Sequence, residues 1–324
     1  MEMNMKTLRT LALAAATSIP TFALAETLTF AWTPNPQTPQ VDIAIAKGYF
    51  EEAGLDMEFV AFRTGREGFE AMLGGQVDIT FMAEFPAAVG ALTGQEFGVV
   101  ADLARFTGSR VIINTSGGEI ATTADLAGKR IGTTLGTNVN FYLDKILTDA
   151  NVDAEIVSAA PPDLVPAVSR GDVDAIVSFP SFYSAAKTTL GDDYSELRVP
   201  GYEVHYILSA SPKMIGERAA DLEAFMGALA KADADVQADP AAAIEAVSAS
   251  MSGAMSIEDL RTMWQDVDIG LRLDTGLAEL LVAEADWILA QGVVNGEAVM
   301  LEEMLTYFAP DALAKVMPDA VDLP

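Results

Sequence analysis

Ala71-Met72-Leu73-Gly74-Gly75-Gln76-Val77-Asp78-Ile79-Thr80-Phe81 and Ala167-Val168-Ser169-Arg170-Gly171-Asp172-Val173-Asp174-Ala175-Ile176-Val177 are two versions of one pattern. Each leaves an apolar helical stretch, turns at a glycine followed by a polar residue, and passes through Val-Asp into a short run that suits a strand. The glycine fits a helix C-terminus because it alone enters the left-handed region without a side-chain clash. The two aspartates lie 96 positions apart. A second pair, Ala53-Gly54-Leu55-Asp56-Met57-Glu58 and Ala150-Asn151-Val152-Asp153-Ala154-Glu155, repeats at an offset of 97. Two matches at nearly one offset are too few for a solenoid, which needs several repeats. They predict two similar lobes, one after the other along the chain.

Outward from these stretches, strand and helix patterns alternate. Residues 27–32 alternate with period two, and a Pro34/Pro36 loop leads to a helix expected over 40–53, with Val41, Ala44, Ile45, Gly48 and Tyr49 on one face. Strands are expected at 55–62, 77–82, 97–103 and 110–114, and helices at 65–73 and 84–92. A second cycle has strands at 130–134, 154–158 and 173–179, with helices at 139–150 and 163–170. Helix-length spacers imply right-handed crossovers and a mainly parallel sheet, hence an α/β fold. After a strand at 206–210 the chain becomes Ala-rich, with helices over 219–237, 240–251, 256–265 and 277–291 and little strand. That tail is expected to pack on the first lobe. The domains expected are therefore 26–114 plus 207–324 (lobe 1) and 115–206 (lobe 2), joined by a two-strand hinge near Asn114–Thr115 and Tyr202–Tyr206.

The composition removes several classes of function. The 324 residues include 47 acidic and 19 basic side chains, a net charge of −28, with 51% hydrophobic residues. A nucleic-acid partner is not expected, because such binding needs clustered Lys and Arg. The absence of Cys removes disulfides, thiol nucleophiles, zinc–thiolate sites and a lipidated N-terminal Cys, and the single His205 leaves no His-rich metal site. No catalytic residue, metal or cofactor is implied. Residues 1–25 have a short basic start (Lys6, Arg9), an apolar stretch and Ala23-Leu24-Ala25, and are read as an export signal cleaved after Ala25. The expected location is the periplasm.

Four segments carry a family resemblance. Ala46-Lys47-Gly48-Tyr49-Phe50-Glu51-Glu52-Ala53-Gly54-Leu55, Gly75-Gln76-Val77-Asp78-Ile79, Asp125-Leu126-Ala127-Gly128-Lys129-Arg130-Ile131-Gly132 and Arg170-Gly171-Asp172-Val173-Asp174-Ala175 occur in an order that resembles the nitrate/sulfonate/taurine/thiamine-precursor family of substrate-binding proteins of ABC transporters. The resemblance covers about residues 26–210. It implies a two-lobed periplasmic-binding-protein fold, type II-like, that closes on a small molecule. It also implies a monomer that delivers its ligand to an inner-membrane ABC permease driven by a cytoplasmic ATPase. Relatives of the fold include a pyrimidine synthase, but that chemistry would require a Cys-rich segment and a reactive His.

The ligand residues are sought where strands run into helices, since ligands in α/β lobes sit at strand C-terminal ends and helix starts. Trp32, Thr33 and Asn35 follow the first strand; Trp32 as core and Asn35 as a turn residue is the competing reading. Arg63, Thr64 and Gly65 put a guanidinium, a hydroxyl and a helix N-terminus together, which suits a sulfonate, carboxylate or phosphate. Arg66 is assigned to an ion pair with Glu70 at helical spacing. Glu84 meets a cationic group of the ligand, caps its helix or pairs with Arg63. In the second lobe the candidates are Gly136, Thr137, Asn138 and Phe179, and near the second crossing Tyr202 and His205. The leading ligand class is a small sulfonate or related anion or zwitterion, taurine- or alkanesulfonate-like. A thiamine-precursor pyrimidine or other heteroaromatic or carboxylate stacked on Trp32 and Phe179 or Tyr202 is the alternative.

Overall fold

The computed structural model describes residues 26–324 except residue 293; the export signal expected at 1–25 lies outside the described residues. The repeated Val-Asp motifs do the same work twice. Asp78 accepts hydrogen bonds from the Thr29 amide at 2.9 Å and the Thr29 hydroxyl at 2.8 Å, and Asp174 accepts from the Arg130 amide at 2.9 Å. In return the Asp78 and Asp174 amides donate to the Thr29 and Arg130 carbonyls. Each aspartate thus fixes the register in which a third strand joins the first strand of its lobe.

Two sheets result. The first contains β1 (Leu28–Ala31), β2 (Met57–Val60), β3 (Ile79–Ala83), β4 (Gly98–Phe106), β10 (Val204–Ala210), β11 (Val267–Asp274) and β12 (Val321–Asp322), in the order β12-β11-β4-β10-β3-β1-β2. The second contains β5 (Arg110–Asn114), β6 (Arg130–Thr133), β7 (Glu155–Ser158), β8 (Ala175–Val177) and β9 (Tyr194–Arg198), in the order β7-β6-β8-β5-β9. The plan repeats. In each sheet the middle of three parallel strands is the first in sequence, and the third pairs antiparallel with a strand supplied by a crossing segment, β10 in the first and β5 in the second. This is the periplasmic-binding-protein fold expected from the sequence.

Three expectations are corrected. The sequence pattern puts residues 110–114 in lobe 1, but β5 pairs with β8 and β9, so the first crossing falls between Phe106 and Arg110 and the second between Arg198 and Val204. A crossing strand that is buried throughout needs two hydrogen-bonding neighbours, and only the second sheet offers both. The helix expected over 40–53 is two helices, Pro39–Ala46 and Tyr49–Glu52, because Gly48 adopts φ +68° and ends the first. The tail contains an eight-residue strand, β11, paired antiparallel with β4.

The tail packs on the first sheet, with helix Ala219–Ala238 lying against helix Pro39–Ala46. Phe225 meets Phe30 edge-on at 5.3 Å and stacks on Phe50 at 5.2 Å. Such pairs are each worth about 0.5–1.5 kcal/mol beyond the area they bury.

Candidate functional site

Helix Gly65–Leu73 packs hard on β3. A side chain at Gly65 would place its Cβ 2.6 Å from the Met82 Cβ, and one at Gly68 would come within 2.8 Å of the Thr80 hydroxyl. The two glycines therefore let the helix N-terminus reach the end of the strand. Thr64 caps it, accepting from the Glu67 amide at 3.1 Å, while the Glu67 carboxylate accepts from the Arg63 amide at 3.1 Å. The amides of Gly65 and Arg66 have no acceptor inside a helix that starts there, so they face outward as donors.

Beside that start, a cavity of about 120 Å³ opens between the sheets. Its walls are aromatic: Trp32, Phe62, Phe81 and Tyr206 from the first sheet's side, Phe179 and Phe182 from the second. Trp32 meets Phe81 edge-on at 4.8 Å, and Phe81 stacks on Tyr206 at 6.0 Å. Polar groups at the wall are Thr33, Asn35, Arg63, Thr64 and Ser181. Seven candidates from the sequence line this cleft: Trp32, Thr33, Asn35, Arg63, Thr64, Gly65 and Phe179. Trp32 and Asn35 also fill their competing roles. Trp32 is buried against Phe30, and the Asn35 side chain accepts from the Gln37 amide at 2.9 Å in a turn.

Arg63 is paired. Its guanidinium bonds Glu67 at 2.9 Å and is mostly exposed. Arg66 pairs with Glu70 as the spacing predicts, and also donates to the Leu135 carbonyl of the second lobe at 3.3 Å.

The second-lobe helix start is not in the cleft lining. Gly136, with φ +72°, lies against Arg66, where a Cβ would come 2.5 Å from Nη1. Thr137 turns its hydroxyl to the Thr134 carbonyl at 2.7 Å, and Asn138 is buried as the first residue of helix Asn138–Ala150. Local hydrogen bonds have taken the Thr137 hydroxyl and the Gly136 amide, which donates to the Asn140 side chain.

The sequence profile of the NMT1/THI5-like family matches residues 35–243. The chain belongs to that family. Over 176 residues it is 26% identical to a putative aliphatic sulfonates-binding protein of Bacillus subtilis, an alignment spanning 49% of this chain and 52% of the relative. The match thus spans about half the relative's length. Among solved structures, the alkanesulfonate-binding protein SsuA of Xanthomonas axonopodis, bound to MOPS, superposes with a TM-score of 0.72 at 18% identity, covering 93% of this chain and all of that one. The enzyme DSZB in complex with biphenyl-2-sulfinic acid superposes with a TM-score of 0.67 at 17% identity, covering 90% and 99%. At these identities the likeness establishes the fold alone, and the fold carries both binding and catalysis.

In this NMT1/THI5-like protein the remaining candidates are buried behind the cleft. Glu84 neither caps its helix nor pairs with Arg63. It accepts from the Tyr202 hydroxyl and, at 2.9 Å, from the His205 amide. Glu284, on helix Thr275–Ala290, lies 3.4 Å from the same hydroxyl. Burial pushes both carboxyls above the usual range, Glu284 further because the Glu84 charge adds to it. The His205 ring bonds Asp102 at 2.8 Å. Burial disfavours its charge, but Asp102 and Glu203 outweigh that and raise its pKa to about 9.

Phe62, Phe81, Phe182, Tyr206 and Glu284 were not among the candidates. Phe81 lies near the C-terminal end of the strand expected at 77–82 and Phe182 repeats Phe179 after Pro180-Ser181, so both carry a signal. Glu284 sits in a plain helical stretch and carried none.

Proposed function

We propose that the protein is the solute-binding component of an ABC importer, exported to the periplasm, and that it holds a small organic anion such as a sulfonate between its lobes. The anionic head lies at the start of helix 65–73, where the Gly65 and Arg66 amides, the Thr64 hydroxyl and Arg63 can donate. The apolar body lies among Trp32, Phe81 and Phe179. The observation that carries this reading is a capped helix start opening onto an aromatic cavity lined from both sheets. A ligand contacts both sides only when the lobes are together, so its binding favours the closed form, which an inner-membrane permease with its ATPase would then accept. The protein is read as non-catalytic. It has no Cys, and His205 is buried on Asp102 away from the cavity lining.

One observation favours a second ligand class. Arg63 already bonds Glu67, and it is the cavity's one lining base among the described residues. A neutral heteroaromatic such as a pyrimidine would stack on the same rings without breaking that pair. Calorimetric titration with alkanesulfonates, benzenesulfonate, taurine, nitrate, a carboxylate and an aminopyrimidine separates the two. Binding of the sulfonates supports the anion reading; binding of the pyrimidine alone overturns it.

A further inference from the structure

We propose that Glu84 and Glu284 share one proton around the Tyr202 hydroxyl and that the three groups act together as a latch on the hinge, so that closing the lobes takes up a proton. The inference does not depend on which ligand the cleft holds.

The three groups come from three places that closure must bring together. Glu84 immediately follows β3, whose Met82 and Ala83 line the cavity. Tyr202 lies on the second crossing. Glu284 is on helix 275–290, one turn before Trp287, which reaches the second lobe through a hydrogen bond to Asp144 at 2.5 Å and edge-on contact with Phe141 at 5.2 Å. The Tyr202 ring is held by that lobe, stacked on Tyr142 at 5.8 Å and edge-on to Phe141 at 5.3 Å. Tyr142 in turn bonds the Ser109 and Val199 carbonyls, one in each crossing. A rotation of the second lobe therefore moves Tyr202 away from the two carboxyls.

With the lobes as they stand, neither carboxyl reaches water. Two negative charges around one phenol oxygen in a dry site are strongly disfavoured, so one carboxyl stays protonated. Glu284 is that one. Its Oε2 has no hydrogen-bond partner, which a buried carboxylate does not tolerate, whereas both oxygens of Glu84 accept hydrogen bonds. The charged and titratable groups around the triad are His205 and Tyr206 on β10, Asp102 and Arg105 on β4, Glu203 beside Tyr202, and Asp144 on helix 138–150. His205 favours charge on Glu84, and Arg105 is tied to Asp102 at 2.9 Å and to Asp274. Asp144 is engaged by Trp287 and Gln291.

Opening lets water in, and both carboxyls then ionise near their ordinary value of about 4.3. The proton on Glu284 thus favours closure fully below that value, and the advantage falls as pH rises, by at most about tenfold per unit. The chain has no Cys, so two labels can be placed cleanly through Glu58→Cys, on the edge strand β2, and Asp153→Cys, just before the edge strand β7. Energy transfer between them is followed in the full chain without ligand from pH 5 to pH 8, below the loss of the His205 charge. The closed fraction should fall several-fold across that range in the parent and stay flat in Glu284→Gln, which keeps a neutral group in place. Tyr202→Phe should lower the closed fraction at every pH. A parent without pH dependence, or a Glu284→Gln variant that follows the parent, overturns the proposal. Should Glu284→Gln not fold, infrared spectroscopy of the parent decides. A protonated-carboxyl band must persist at pH 8.5, well above the midpoint of about 7 to which burial raises Asp42, and its absence overturns the latch.

Discussion

Arg63 and Glu67 bond each other at 2.9 Å across one helical turn, at the same place where the helix start faces the cavity. An anion entering the cleft competes with Glu67 for the guanidinium. Glu67→Gln removes the competing charge and keeps an acceptor for the Arg63 amide. It should tighten binding of benzenesulfonate by about twofold to fivefold, the worth of an exposed pair, whereas Arg63→Ala should weaken it. Calorimetry on the two variants checks this. Equal affinities in parent and both variants would place the anion elsewhere.

The aromatic wall separates stability from binding. Trp32 is a core residue, packed between Phe30 and Phe81, so Trp32→Ala should cost about 3–5 kcal/mol in denaturant unfolding. Phe179 is only partly buried. Phe179→Ala should leave the unfolding midpoint almost unchanged and still reduce ligand affinity about tenfold. Unfolding curves and titrations of both variants test the division, which fails if Phe179→Ala destabilises as much as Trp32→Ala.

Asp174 is partly buried, which disfavours its charge, yet the Arg130 side chain and amide hold its pKa below the usual carboxylate range. A lowered pKa means that its contribution is present above about pH 3.9 and is lost as pH falls through the lowered value. Asp174→Asn removes the charge that Arg130 pairs with, leaving the guanidinium only the Gly171 and Asp172 carbonyls, and should cost about 2 kcal/mol, with the difference from the parent shrinking in acid. Urea unfolding at pH 7 and pH 3 measures both. A difference that grows in acid would contradict the assignment.

How much of this could be read beforehand follows from range in sequence. The Asp78 and Asp174 motifs were legible because each acts within its own lobe, and they were enough to predict two similar lobes. The alternation of Val267, Ile269, Leu271 and Leu273 in β11 is equally visible, but it stands between two helical patterns that mask it. The sheet that owns residues 110–114 depends on pairing with β9, 80 to 88 residues later, and local pattern carries no such information. In the candidate site, the strand-end rule picks Trp32, Arg63 and Phe179, which line the cavity. It also picks Glu84 and Thr137, which lie outside that lining with their polar groups used by Tyr202 and by the Thr134 carbonyl respectively.

His205 is the chain's single histidine, so its ring protons form one assignable signal in a magnetic-resonance titration. Its burial opposes charge, and Asp102 and Glu203 overcome that, giving a midpoint of about 9. A raised pKa contributes stability that is complete below about pH 6.5 and is lost as pH climbs through 9. Thermal stability should decline over that window in the parent and not in His205→Gln. A ring midpoint near 6.5 would show the pair with Asp102 to be weak.

The most direct test of solute binding is one calorimetric titration of the ligand-free protein with benzenesulfonate at neutral pH, with an aminopyrimidine run alongside. The account predicts one-to-one binding of the sulfonate that weakens in Arg63→Ala, a mostly exposed side chain whose removal leaves the packing of helix 65–73 on β3 intact. No heat with the sulfonate, together with saturable binding of the pyrimidine, would contradict it.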